Sequence, residues 1–252
     1  MRIRCVGQTD VGRRRERNED AFLIDESLGL FVVADGMGGH AGGDIASRLA
    51  VETVGSVLRE AAADPSGPFA AEAPLPESPL PDLLRSAVEK GCAAIFRRAQ
   101  EEPELSGMGT TVTALLLREA DAFFAHVGDS RAYLVRADLI QQISEDHSFV
   151  HEQVKAGVIT AEEARYSRFK NIITRSVGFE EQVLVDLMGL VAEPGDVFVL
   201  CSDGLANLVE DHEIHDLARE KPLEDLPAAL VDLANERGGD DNITVVAVRL
   251  ES

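Results

Sequence analysis

Short apolar segments of strand-like composition dominate the chain from residue 21 to its end. They are rich in Val, Leu, Ile and Phe, and turn sequences such as Pro194-Gly195-Asp196 separate them. Most neighbouring segments lie too close together for a helical crossover, so antiparallel hairpins are expected. The predicted strands cover 21–25, 29–34, 110–118, 121–128, 131–136, 139–143, 183–190, 196–202 and 243–250.

Between these strands, apolar residues that recur every three or four positions predict helices. The predicted helices cover 44–61, 82–101, 211–220 and 223–237. Asp82, after a proline, is expected to cap the second helix. Residues 144–182 form a mixed segment in which Thr160 and Glu163 predict a capping box.

Residues 62–81 are rich in proline and alanine and show no helical or strand period, which predicts a surface loop joining two antiparallel helices. No internal repeat is evident. Two antiparallel sheets covered by helices on both outer faces would use all of these elements, so an α+β fold is expected. The length of 252 residues suits one large domain, and we expect a single domain over 1–252.

Composition narrows the class of protein and its partners. A formal net charge of -21 argues against binding to nucleic acid and makes a monomer the simpler expectation. No apolar stretch approaches the length of a membrane span, and no apolar region follows the charged N-terminus, so neither a membrane protein nor a signal peptide is expected. Three widely spaced cysteines match neither a zinc site nor a disulfide framework, which favours buried thiols in a reducing cytoplasm.

Four aspartates lie beside a glycine or a short polar turn at one end of a strand-like run: Asp35, Asp129, Asp203 and Asp241. Carboxylates that gather on one rim of a sheet repel each other unless cations lie among them. Ligand sets made only of oxygen favour hard cations such as Mg²⁺ or Mn²⁺. Asp20, in the Asn18-Glu19-Asp20 run, is similar in type. Two such ions with one shared water would generate hydroxide near neutral pH, which is what phosphate ester hydrolysis needs.

Two further residues suit a phosphoryl substrate. Arg15 lies in a cluster of four arginines, and its planar guanidinium can bind phosphoryl oxygens in a bidentate manner. His40, in GMGGHAGG, is a candidate proton donor for the leaving alkoxide. Each feature is weak when taken singly, and their combination carries the argument.

In its motifs the chain resembles the metal-dependent protein serine/threonine phosphatases of the PPM family, also called the PP2C type, in its bacterial branch. The segments that carry the resemblance, in order, are DVGRRRERNEDAF, VVADGMGGHAGGDIAS, GMGTTVTALLL, HVGDSRAYL, EDHS, NIITRSVG, VFVLCSDGL and DDNITVVAV. The resemblance implies an αββα sandwich, in which pairs of helices flank two central, mostly antiparallel sheets. It also implies a centre of two Mg²⁺ or Mn²⁺ ions between the sheets, and in-line attack on phosphorus by a water or hydroxide that bridges them.

The resemblance also assigns metal ligands. Asp35 matches the bridging ligand and Gly36 the ligand that binds through its backbone carbonyl. Asp203 and Asp241 match the other direct carboxylates, and Asp129 matches a residue that binds a weaker third ion together with Asp203.

The remaining roles concern substrate and protons. Asp20 matches an acidic residue that holds metal-bound water, Arg15 the phosphate-binding arginine and His40 the proposed general acid. Residues 148–180 match a variable flap beside the site, which influences substrate choice in the family.

The resulting interpretation is a cytoplasmic phosphatase that removes phosphate from phosphoserine and phosphothreonine in proteins and opposes a serine/threonine protein kinase. Two alternatives remain open. One is a catalytically weak module that binds phosphoproteins, and the other is a phosphatase of regulatory phosphoproteins that resemble anti-sigma antagonists. Every metal position is filled, which favours an active enzyme. Because Cys201 lies two residues from Asp203, sensitivity of the activity to oxidation is a further hypothesis.

Overall fold

The computed structural model describes residues 1–38, 42–70 and 77–251. The strands are β1 (Arg2–Asp10), β2 (Ala21–Asp25), β3 (Leu30–Ala34), β4 (Gly36–Met37), β5 (Gly109–Thr110), β6 (Val112–Arg118), β7 (Asp121–Val127), β8 (Arg131–Arg136), β9 (Leu139–Gln142), β10 (Asp186–Val191), β11 (Val197–Cys201) and β12 (Ile243–Glu251). The α-helices are α1 (Gly43–Ala63), α2 (Leu80–Glu101), α3 (Phe149–Lys155), α4 (Ala161–Arg165), α5 (Asp203–Ala206), α6 (Asp211–Glu220) and α7 (Leu226–Glu236).

Two five-stranded sheets form the centre of the fold. One has the order β1-β12-β11-β8-β9 and the other β10-β7-β6-β3-β2, and neighbouring strands in both are antiparallel. Helices α1 and α2 pack on the outer face of the second sheet, and α5, α6 and α7 pack on the outer face of the first. This arrangement confirms the expected α+β sandwich.

The apolar runs of the central strands are explained by burial on both faces. In β6, Ala114 and Leu116 face α1 and α2, whereas Leu115 and Leu117 face the other sheet. Since side chains alternate along a strand, a strand between helices and a second sheet needs apolar residues at nearly every position.

The predicted elements agree with the structure to within about three residues at each end, which is the usual uncertainty of such boundaries. The first strand, β1, was missed, although it pairs with β12 along its whole length. The proposed Asp82 cap is wrong: the residue before α2 is Pro79, which makes no capping contact through its side chain, and Asp82 lies in the first turn. The capping box of Thr160 and Glu163 is confirmed at α4.

The structure refines the predicted 62–81 loop and the mixed segment 144–182. Since α1 continues to Ala63 and α2 begins at Leu80, the loop is two residues shorter at each end than predicted. Part of this loop, 71–76, lies outside the described residues. Within 144–182, α3 and α4 precede a stretch that bridges back to the sheets through the Ser148–Ile173 and Thr110–Val177 pairs. In the described part of the chain, no helix has both the length and the apolar character needed to span a membrane.

Candidate active site

A cavity of about 860 Å³ lies where four strand ends meet. Asp35 follows β3 and Asp129 follows β7, and these two ends coincide because β6 pairs antiparallel with both strands. Asp203 follows β11 and Asp241 precedes β12, and their antiparallel pairing places these two positions together. All four side chains line the cavity. The antiparallel topology therefore gathers carboxylates that are far apart in the sequence.

Two threonines hold the backbone of Asp35. Thr111 Oγ1 accepts a hydrogen bond from the Asp35 amide at 2.9 Å, and Thr110 Oγ1 donates to the Asp35 carbonyl at 2.9 Å. Thr111 Oγ1 also shares a 2.7 Å hydrogen bond with the hydroxyl of Ser130, the residue after Asp129. Both threonines and Ser130 are fully buried. This network fixes the Asp35 and Asp129 turns relative to each other.

The turn that carries Asp129 is held from its other side by the EDHS segment. Gly128 has a φ of 112°, a conformation suited to glycine, and its amide donates to His147 Nδ1 at 3.0 Å. Arg131 donates from Nε and Nη2 to the carboxylate of Asp146, at 2.7 Å for the shortest contact. The EDHS segment therefore has a structural role in the site, since it clamps both sides of the Asp129 turn.

Asp20 is anchored to the start of β12. Thr244 Oγ1 donates to Asp20 Oδ2 at 2.6 Å, and the Glu19 amide donates to the Asn242 side-chain oxygen at 2.8 Å. The Asn242 side-chain amide donates in turn to two carbonyls of the 11–17 segment. Buried Asn242 thus fixes the connection between β1 and β2 beside the other carboxylates.

Burial and mutual repulsion dominate the electrostatics of the cluster. Burial raises the pKa values of Asp20, Asp35, Asp129 and Asp203, and neighbouring carboxylates raise them further. The positive charges of Arg15 and Lys170 partly offset the rise in the pKa of Asp203. Raised pKa values are expected where buried carboxylates lie close together with few counter-charges among them.

The donor chemistry of the carboxylate cluster, which comprises Asp20 and the aspartates that line the cavity, fits hard cations. The Oδ1 atoms of Asp20, Asp129 and Asp203 are buried and have no hydrogen-bond partner, which is costly for a carboxylate unless a cation completes its environment. Nevertheless, no three His, Cys, Asp or Glu side chains within 1–38, 42–70 and 77–251 already form a complete ligand set. The Asp241 carboxylate instead accepts a 2.6 Å hydrogen bond from Arg15 Nη2, so we expect an ion to bind with a small rearrangement of these side chains.

The structure brings together most of the residues that the sequence singled out. Arg15 and Gly36 line the cavity with the aspartates, whereas the neighbouring arginines at 13, 14 and 17 do not. A Cβ atom on Gly36 would lie 2.1 Å from the Gly43 carbonyl oxygen, so only glycine fits there. His40 lies outside the described residues, and its role stays a prediction.

Another wall of the cavity comes from 171–184, which overlaps the flap expected over 148–180, but sequence reasoning named none of its individual side chains. The lining residues of this wall are Asn171, Ile173, Thr174, Arg175, Ser176, Phe179, Glu180, Gln182, Val183 and Leu184. The Lys170 ammonium is also close enough to favour the charged form of Asp203. The NIITRSVG motif covers the start of this wall, but no spacing rule identified the individual side chains.

The cysteines do not support a redox role near the site. Cys201 is fully buried, and burial raises its pKa to about 12, so the reactive thiolate is suppressed. Cys92 is also buried, whereas Cys5 is only partly buried, contrary to the expectation of three buried thiols.

Comparison with known proteins gives concordant results. The model of the family described as Protein phosphatase 2C matches residues 9–244. The chain is 36% identical over 245 residues to the serine/threonine phosphatase stp of Listeria innocua, covering 96% of this chain and 93% of that protein. It is 36% identical over 246 residues to the protein phosphatase PhpP of Streptococcus pneumoniae, covering 96% of this chain and 95% of that protein.

Solved structures agree as well. The serine/threonine phosphatase PstP/Ppp of Mycobacterium tuberculosis superimposes with a TM-score of 0.88 at 35% identity, covering 99% of both chains. The catalytic domain of PstP in complex with two manganese ions gives a TM-score of 0.85 at 34% identity, again with 99% of both chains covered.

Proposed function

The chain belongs to the protein phosphatase 2C family and is a metal-dependent protein serine/threonine phosphatase, and we propose that the carboxylate cavity is where it hydrolyses phosphoserine and phosphothreonine in proteins. One observation carries this assignment. The cavity is lined by Arg15 and four aspartates, and two of these, Asp129 and Asp203, have a buried Oδ1 atom without a hydrogen-bond partner. We further propose that residues 1–252 act as a single catalytic domain.

The cofactor is Mn²⁺ or Mg²⁺, as expected for oxygen ligands. We assign two ions to the Asp35, Asp203 and Asp241 carboxylates and the Gly36 carbonyl, and a third to Asp129 with Asp203. The ions supply Lewis acidity, which makes water a competent nucleophile near neutral pH.

The other residues bind substrate and handle protons. The Arg15 guanidinium is half exposed and points into the cavity, where its planar donors can bind two phosphoryl oxygens. Asp20 is held through Oδ2 by Thr244, and its unpaired Oδ1 is the acceptor that we assign to a proton of the attacking water. His40 remains our candidate for protonating the leaving alkoxide.

Phosphate release from a phosphothreonine peptide tests the proposal. We expect turnover with Mn²⁺, none with EDTA, and a loss of at least about 100-fold in Asp203→Asn. The matched control is Asp232→Asn, which removes an exposed carboxylate from α7 and should leave turnover unchanged. Folded wild-type protein that shows no turnover with either metal would favour the alternative, a non-catalytic module that binds phosphoproteins.

Its substrates are phosphoproteins, and we propose that it opposes a serine/threonine protein kinase, as a monomer in the cytoplasm. The net charge of -21 supports a monomer, since like-charged copies repel each other. Three cysteines that are all free support a reducing compartment. Light scattering of the purified protein would test the oligomeric state directly.

A further inference from the structure

The cavity wall formed by residues within 171–184 exposes two large apolar side chains. Phe179 is 64% exposed and Leu184 is 70% exposed, and both line the cavity. Isolated exposed apolar residues are common on proteins, but a pair that borders a catalytic cavity lies where a substrate must pass. Together, the Phe179 and Leu184 side chains form the apolar rim of the cavity.

The backbone around Phe179 is firmly anchored. Val177 is fully buried and exchanges two backbone hydrogen bonds with Thr110, at 2.9 and 2.8 Å. The Gly178 amide donates a hydrogen bond to Cys92 Sγ at 3.3 Å, and the Cys92 thiol donates to the Glu180 carbonyl oxygen at 3.2 Å. Anchors on both sides of Phe179 therefore hold its backbone in place while its ring remains exposed.

Leu184 is held in a similar way. The Arg175 Nη1 atom donates to the Leu184 carbonyl at 3.2 Å and also to the Asp186 carboxylate. Val183 and Val185, on either side, pack into the core against α2 and its sheet. Since neighbouring side chains of an extended segment point to opposite faces, the Leu184 side chain is directed outward.

The charges of this wall disfavour an acidic residue near the rim. Glu180 is exposed and lines the cavity, and Glu181 beside it is exposed as well. The guanidinium of Arg175 is already paired with Asp186. An acidic side chain of a bound peptide would meet repulsion here, whereas an apolar side chain could bury itself against the ring and the leucine.

We propose that Phe179 and Leu184 form a subsite for an apolar side chain of the phosphoprotein substrate. A cavity of this volume is about 12 Å across if roughly spherical, and an extended peptide advances about 3.3 Å per residue. The recognised side chain therefore lies within about four residues of the phosphorylated residue. The inference rests on the proposed function, because it assumes that phosphopeptides enter this cavity.

Peptide kinetics provide the first test. A set of phosphothreonine peptides varies one position at a time, within four residues of the phosphothreonine, among Leu, Ala, Lys and Asp. The small ester p-nitrophenyl phosphate serves as a control substrate without flanking residues. At one of these positions we expect about a ten-fold higher kcat/KM for Leu than for Ala, expressed mainly in KM. The Phe179→Ala/Leu184→Ala double variant should lose that preference. Leu139→Ala removes an equally exposed leucine from β9, away from the cavity, and should retain it.

Tryptophan fluorescence gives a readout that does not depend on turnover. The chain has no tryptophan, so Phe179→Trp would place a single reporter in the apolar rim. A non-hydrolysable phosphonate peptide with the preferred Leu should shift its emission to the blue, and the Ala counterpart should shift it less. In Leu139→Trp, neither peptide should change the emission.

The outcomes separate the two proposals. Equal kcat/KM values for Leu and Ala at every position, or a Lys preference that Glu180→Gln abolishes, would overturn the apolar subsite while leaving the phosphatase assignment intact. Failure of the wild type to hydrolyse both the peptides and the small ester would overturn the proposed function. In that case the tryptophan shift would still decide whether the rim binds an apolar residue.

Discussion

The charge of Asp20 should destabilise the fold whenever no cation is bound, so Asp20→Asn should stabilise the protein in EDTA. Asp20 Oδ2 accepts a 2.6 Å hydrogen bond from Thr244 Oγ1, while Oδ1 is buried and unpaired. An asparagine of the same shape can still accept that hydrogen bond through its amide oxygen and removes the charge.

The size and the sign of this effect on stability follow from the pKa of the Asp20 carboxyl group. Burial raises the pKa of Asp20 from 3.8 to about 7, the hydrogen bond from Thr244 counteracts part of this, and the charges of Asp203 and Asp241 add to it. The folded protein binds the Asp20 carboxyl proton more tightly than the unfolded chain does. The ionised Asp20 carboxylate therefore destabilises the fold above about pH 7. The destabilisation fades as the pH falls through about 7 and is gone below the unfolded value. Three pH units correspond to about 4 kcal/mol, which is a ceiling because the coupled aspartates share their protons.

We therefore expect Asp20→Asn to raise the free energy of unfolding by about 1–3 kcal/mol at pH 8 in EDTA, or by several degrees in Tm. Thermal unfolding at pH 8 and pH 5 measures the effect, and the gain should fall to less than half at pH 5. With Mn²⁺ the wild type should be more stable than Asp20→Asn, because Mn²⁺ binding to the intact wild-type cluster stabilises the folded state. Asp232→Asn is again the exposed control.

Two results would refute this reasoning. A lower Tm for Asp20→Asn at pH 8 in EDTA would show that the carboxylate is better accommodated than its burial indicates. An equal gain at pH 5 and pH 8 would show that the stabilisation does not come from removing a charge.

Two more predictions concern the anchor of the cavity wall and the thiol near the site. Gly178 has a φ of +95° and a Cβ there would lie 2.1 Å from Ile95 Cγ2, so Gly178→Ala should lower the free energy of unfolding by about 3 kcal/mol. Gly157→Ala, at a φ of +69° in open space, should cost only about 1 kcal/mol in the same urea titrations, and equal losses would contradict the steric argument. Cys201 should resist iodoacetamide and peroxide in the folded protein, as followed by mass spectrometry, because it is fully buried with its pKa raised to about 12. Rapid modification of that thiol in the native state would restore the oxidation hypothesis.

Local patterns in the sequence were sufficient for most of the secondary structure. Runs such as those of β6 and β11 are apolar at almost every position, and only a strand buried on both faces uses such a run. The strand β1 escaped detection because its residues are only partly buried at the edge of a sheet. Its conformation depends on pairing with β12, more than 230 residues away, which no local pattern expresses.

The sequence by itself determined the types of residue at the site and their positions at strand ends. An aspartate at either end of an apolar run lies at a sheet rim, so Asp35, Asp129, Asp203 and Asp241 were candidates for one cluster. Only the tertiary structure decided that Arg15, of four neighbouring arginines, lines the cavity, and that Phe179 and Leu184 line it as well. The physical reason is that hydrophobic periodicity encodes which face of an element is buried, whereas distances between segments depend on how two sheets pair and pack over the whole chain.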